Sequence, residues 1–436
     1  MPDLVIRNGQ LVTPEGILNA SVAIDDGRIS AIGPDLAGGT RETDASNCYV
    51  LPGLIDVHVH FNEPGRADWE GCSTGSRALA AGGGTLFFDM PLNSTPCLLT
   101  GWDFEAKRAA LARSSVTNFA MWGGLVPGNL SHMAELADLG VVGFKAFMCD
   151  SGLPEFPRAD DLTLYEGMRE AARLGRPVAV HAESEELTRA PRRSMDIRGF
   201  LDSRPVLAET EAIQRAGLFA RETRCRLHIV HISSGRGVAA ALEARSHGAD
   251  ISIETCPHYL FFTEDDLLRI GALAKCAPPL RSCAERESLW HCLLQNQVDI
   301  VASDHSPCPP NLKQRDNFFE IWGGIAGVQS TLPVLLQDQR LTLSRIAELT
   351  GGNPAKRFGI KHRGVIKAGN YADLTIIDLH ADAKLERDRL LQRHQDSPYT
   401  GHTFRAAIRE TYCEGRRVFP DATGRGRLIR PERVST

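Results

Sequence analysis

The chain has 436 residues, 42% hydrophobic and 24% charged, which sizes it for one large globular domain and a smaller one and excludes a disordered or fibrous protein. A net charge of -5 leaves no basic surplus for nucleic acid. No apolar run reaches the ~18 residues of a membrane span, and the first residues carry no apolar leader core, so a cytoplasmic location is expected. Eleven cysteines, scattered from Cys48 to Cys413 without a Cys-x-x-Cys pair, read as free thiols, with a cysteine zinc site as the alternative.

In chain order, β-rich runs at 4–6, 21–24 and 29–32 open the sequence, and Asp25-Asp26-Gly27-Arg28 reads as a tight turn between the last two. The middle then beats regularly. Strand-like runs end near His58, Asp89, Gly123, Met148, His181, His231, Thr255 and Ser303, and 105–113, 162–174 and 209–222 are helical candidates. Eight strands alternating with helices predict a (β/α)₈ barrel over residues 53–363, with a doubly wound open sheet as runner-up. The end resembles the beginning, with a strand at 374–377 and a hairpin at 412–418. Residues 1–52 and 364–436 are therefore expected to build one small β-sandwich together.

The chemistry gathers where the predicted strands stop. His58-Val59-His60 places two imidazoles two residues apart, on one face of a strand, as a metal pair requires. Lys145, His181, His231 and Asp304 close four further strands, and in a barrel all these ends meet at one face. His228 and His231 compete for one position. Three residues apart in a regular strand, they face opposite sides, so His231, nearer the C-terminal end, is taken as the ligand and His228 as a core or outward residue. Lys145 stands in the apolar run Gly143-Phe144-Lys145-Ala146-Phe147-Met148. Burial there lowers an amine's pKa, and a neutral amine reacts with carbon dioxide to give a carbamate, a carboxylate-like anion able to bridge two ions. A lysine reaching a surface partner is the alternative. Asp89 is expected to serve structural hydrogen bonding, His258 to pack as a structural residue, and His305 either to orient Asp304 or to cap its loop.

These residues together resemble the binuclear amidohydrolase superfamily across nearly the whole chain. The resemblance implies a barrel with a β-sandwich made from both termini. It implies that His58 and His60 hold one divalent ion, that His181 and His231 hold the other, that N6-carboxylated Lys145 bridges them, and that Asp304 both ligates and handles protons. Zinc is the expected ion, with manganese, cobalt or iron as alternatives, and bicarbonate supplies the lysine carboxyl. A homo-oligomer, a tetramer by resemblance, a small-molecule substrate, and neither a nucleic-acid nor a membrane partner are implied.

Within that superfamily the sequence is similar to the cyclic amidases, the allantoinases, dihydroorotases and hydantoinases. Asn62 and Ala277 stand where dihydroorotases carry the Arg and Asn that grip a ring carboxylate, and Asp150 stands where hydantoinases carry Tyr. The segments around Lys145, Glu254-Thr255-Cys256-Pro257-His258-Tyr259, Asp304-His305 and Ile321-Trp322-Gly323-Gly324 look like those of allantoinases. Opening of allantoin to allantoate by a hydroxide bridging the ions is the implied activity. Asn62, Cys256, Pro257, Gly323 and Gly324 are the candidate substrate contacts. A dihydroorotase or hydantoinase activity is the first alternative, and an inactive barrel scaffold the alternative from another class.

Overall fold

The computed structural model describes residues 1–189, 192, 194–422 and 424–432. Leu54–Val59, Gly84–Asp89 and Asn118–Met121 pair in parallel as one arc. Gly123–Gly124, Phe144–Phe147, Val178–His181, Leu227–Ile229, Ile251–Thr255 and Ile300–Val301 form a second. The arcs join through Trp122, whose N–H donates to the Asp89 carbonyl at 3.0 Å before Gly123 turns to Gly143 at 2.9 Å. A parallel bridge between Val59 and His305 closes the remaining seam, tightened by the His60 N–H on the His305 carbonyl at 2.8 Å. Asp56, buried between them, accepts from the backbone N–H groups of both His58 and Ser303. A closed barrel replaces the open-sheet alternative.

Strand alternation decides which side chains face inward. Phe144, Ala146, Val178, Val180, Leu227, Ile229, Ile251 and Ile253 pack outward in the buried layer shared with the helices. Lys145, His181, His228, Ser252 and Glu254 occupy the opposite phase and therefore point inside. The expected helical runs fall on Gly101–Ser114, Asp161–Arg173, where the helix stops one residue earlier than expected, and Val206–Thr223. Thr100 and Asp103 cap the first reciprocally, and Asp160 caps the second through the Thr163 N–H.

Both chain ends meet in an eight-stranded auxiliary sheet. Leu374–Asp378 lies between Tyr49–Pro52 and Ala407–Cys413, antiparallel to both. Its hairpins Gly16–Asp25 to Arg28–Gly33 and Ala407–Cys413 to Arg416–Phe419 turn on Asp26-Gly27 and Glu414-Gly415. All four turn residues have positive φ, the two-residue geometry that matches strand twist. Among the described residues no helix is long and apolar enough to cross a membrane.

Candidate metal centre

At the C-terminal mouth of the barrel a cavity of about 450 Å³ is lined by His58, His60, His181, His231 and Asp304 among others. Asp304 Oδ1 lies 3.1 Å from His58 Nε2 and 3.4 Å from His60 Nε2. The rings of His58 and His231 are 5.5 Å apart and those of His181 and His231 4.6 Å, so the four imidazoles form one continuous group. His231 and Asp304, both in the cavity lining, have positive φ, an uncommon backbone at the points where the chain turns into the cavity, and so does the buried Asn62 beside His60.

Two carboxylates behind the imidazoles fix their tautomers. His58 Nδ1–H donates to Glu254 Oε1 at 2.8 Å, which leaves Nε2 with its lone pair toward Asp304. Glu254 also accepts from His228 Nε2 at 2.9 Å and from the His231 backbone N–H at 3.1 Å. Burial opposes the charge of Glu254, but His58 and His228 hold its pKa at about 2. His181 Nε2–H donates to Glu183 at 2.8 Å, and Arg204 pairs with the same oxygen. That arrangement frees His181 Nδ1, as a carboxylate bonded to the far nitrogen does at histidine metal sites.

Among the described residues two groups of ligand-type side chains could hold a metal ion. They are His58, His60 and Asp304, and Cys149, His181 and Glu183, each with its ligand atoms within 4.8 Å of one another. In the second group burial pushes the Cys149 thiol up to about 12, so it stays protonated, and Glu183 is already shared between His181 and Arg204. The lone pair left in that corner belongs to His181.

Lys145 is completely buried, and its Nζ has no hydrogen-bond partner among the described residues. It lies 4.8 Å from the Phe147 ring centre. Burial, only partly offset by the charges of Asp304 and Glu254, lowers its pKa to about 8. His60 Nδ1 and His231 Nδ1 are equally buried and unpartnered. Asp304 is held below the ordinary carboxylate range, because His58 and His60 outweigh the effect of its burial. Orphaned donor atoms beside a convergent imidazole–carboxylate set suit divalent ions and a lysine carboxyl group.

Residues 49–418 match the amidohydrolase family. The chain belongs to that family. It is 62% identical over 446 aligned residues to an allantoinase of Solibacter usitatus (strain Ellin6076), covering 99% of this chain and 98% of that one. It is 52% identical to an allantoinase of Rubrobacter xylanophilus (strain DSM 9941 / JCM 11954 / NBRC 16129 / PRD-1), again covering 99% and 98%. Its fold superimposes on the L-hydantoinase (dihydropyrimidinase) of Arthrobacter aurescens with a TM-score of 0.95 at 33% identity, covering 99% of this chain and 100% of that one.

The remaining predicted residues of this amidohydrolase divide. Gly323, Gly324, Asp150 and Ala277 line the cavity. Asn62, Cys256 and Pro257 do not: all three are buried, and neither polar atom of the Asn62 amide has a partner among the described residues. His305 caps a loop, its Nδ1 accepting from the Gly327 and Val328 N–H groups. Asp89 takes the structural role, holding Lys107 at 2.7 Å and the Phe61 N–H at 2.8 Å. His258 is buried against Tyr259, and neither ring nitrogen has a partner among the described residues. His228 is a core residue stacked on Trp122. Glu254 and Glu183 were missed as the carboxylates behind the ligands. His181-Ala182-Glu183 and the inward phase of Glu254 were the available signals.

Proposed function

We propose that this cavity opens the ring of allantoin to give allantoate. The protein is a metal-dependent hydrolase of allantoinase type, acting on a carbon–nitrogen bond of a cyclic amide in purine catabolism. The observation that carries the site reading is the convergence of His58, His60 and Asp304 beside the buried, unpartnered amine of Lys145.

In this reading His58, His60 and Asp304 hold one ion, His181 and His231 hold the other, and carboxylated Lys145 joins them. Zinc is the ion we favour for an imidazole-rich set. When bound, such ions polarise a carbonyl and activate water near neutral pH. Asp304, kept ionised, accepts a proton from the attacking water and returns it to the departing ring nitrogen. Glu254 and Glu183 hold the imidazoles in the tautomers that leave a lone pair toward the cavity.

The wall favours a substrate without a ring carboxylate. Ala277 offers no side-chain donor, and of the three lining arginines Arg204 is paired with Glu183, Arg189 with Glu185, and Arg192 lies over the Phe319 ring. The backbone at Gly323 and Gly324 offers neutral hydrogen bonds instead. A cytoplasmic homotetramer completes the reading.

Steady-state kinetics on allantoin, dihydroorotate and hydantoin, with enzyme prepared in bicarbonate and zinc, test the substrate. The expected result is the highest kcat/KM on allantoin. A higher value on either of the others overturns the substrate assignment.

A further inference from the structure

Seven residues of the loop 310–324 line the cavity, and two lysines outside the metal cluster hold that loop by its carbonyl oxygens. Lys275 Nζ donates to Phe318 O at 2.7 Å, to Phe319 O at 3.3 Å and to Ile321 O. Lys313 Nζ donates to Ala272 O at 3.0 Å, Trp322 O at 2.9 Å and Gly324 O at 2.8 Å. An ammonium has three donors, and here all three of each are used on backbone. Neither lysine has a carboxylate partner among the described residues; five of their six bonds go to carbonyl oxygens of the loop, and the sixth ties Lys313 to Ala272 O outside it. The tie runs both ways, since the Gly324 N–H donates to the Lys275 carbonyl at 2.9 Å.

The lysines also decide where one peptide points. In a trans peptide the C=O and the following N–H point in opposite directions. Lys313 fixes the Trp322 carbonyl, so the Gly323 N–H is turned away from Lys313. The Trp322 N–H is taken by Leu312 O at 3.0 Å and the Gly324 N–H by Lys275 O. Gly323 lies in the cavity wall, and its N–H alone of these three has no acceptor among the described residues. The next residue has to be glycine, because a Cβ on Gly324 would stand 2.2 Å from the Ser306 carbonyl oxygen.

We propose that Lys275 and Lys313 are positioning residues, which hold the backbone of 318–324 so that the Gly323 N–H is presented to a carbonyl oxygen of the substrate. This rests on the ring-opening reading for the identity of the substrate, though not for the holding of the loop. Lys275→Met and Lys313→Met keep side-chain length and remove all three donors. In the full-length, zinc-loaded enzyme without substrate, amide hydrogen exchange across 318–325 should accelerate at least about tenfold while the barrel strands stay protected. KM for allantoin should rise about tenfold, the equivalent of one lost hydrogen bond, with kcat within about threefold and metal content unchanged. Lys313→Arg, which restores donors, should recover part of the KM.

A purely structural role would lower the melting temperature with KM and local exchange unchanged, and that result overturns the proposal. Should the methionine variants fail to fold, Gly323→Pro removes the amide hydrogen with both lysines in place. An unchanged KM in that variant also overturns it. If the parent enzyme does not open allantoin, the substrate reading fails, while the exchange measurement still decides whether the lysines hold the loop.

Discussion

The two sides of the cavity floor are held together in different ways. On the Asp304 side each ligand-type group already has an internal partner: His58 lies between Glu254 and Asp304, and His60 faces the same Asp304 oxygen. On the Lys145 side the amine and His231 Nδ1 are buried without partners, and only His181 is tied, through Glu183. The first side is pre-assembled by contacts internal to the protein, with only His60 Nδ1 left without a partner among the described residues. The second is arranged around a charge that the twenty side chains do not supply there. An anion at Lys145 would turn its unpartnered groups into a coordination shell.

The largest test of that contrast removes the amine. Lys145→Ala should cut turnover by about 10⁴ or more, since carbonyl polarisation contributes several kcal/mol to lowering the barrier. Metal analysis should show the loss concentrated in one of two ions per chain, with partial rescue by formate or acetate. Near-normal turnover without additives would refute a bridging lysine. Asp304→Asn addresses the other side. It should preserve the fold by circular dichroism and lower kcat by about 10²–10⁴, the usual contribution of a general base. A drop below tenfold would remove Asp304 from proton transfer.

Glu254→Gln is a milder change on the same side. An amide can still hydrogen-bond His58 or His228, but it lacks the charge that stabilises both. Metal affinity should fall about 10- to 100-fold by chelator competition, with kcat at saturating zinc changing less. If affinity is unchanged, the tautomer of His58 is fixed by something other than Glu254.

Much of this was legible in the sequence. The eight strand ends show as apolar runs, several of them closed by His or Asp, but their number and spacing left an open sheet possible, and closure shows only in the Val59–His305 bridge. His231 lines the cavity and His228 packs in the core, but strand alternation is not what separates them. The strand ends at Ile229, and it is the left-handed backbone of His231, not alternation, that turns its ring into the cavity. Positive φ at Asn62 and Asp304 was equally hidden, because loop conformation depends on partners distant in sequence. The burial of Asn62, Cys256 and Pro257 has the same origin. Glu254, Glu183, Lys275 and Lys313 escaped notice because their partners lie on other elements or on backbone, which no local motif records.

The smallest expected effect distinguishes a buried amine that costs stability from one that is merely hidden. Burial lowers Lys145 from its usual 10.5 to about 8, so the folded protein resists its protonation while the unfolded chain does not. Between pH 8 and 10.5 the unfolded state binds the extra proton, and stability therefore rises with pH through that window. Below pH 8 the cost is fully present. Lys145→Met removes it, and should stabilise the metal-free protein at pH 7 by about 3 kcal/mol, measured by urea unfolding in bicarbonate-free buffer. The advantage should shrink as the pH is raised and disappear above 10.5, where the lysine is uncharged in both the folded and the unfolded chain. The corresponding change on the Asp304 side, His60→Met, should show no such gain, because it removes a partner from Asp304 and leaves that carboxylate less balanced. A destabilised Lys145→Met protein, or a gain independent of pH, would mean that the amine already has a partner and that the two sides of the floor are built alike.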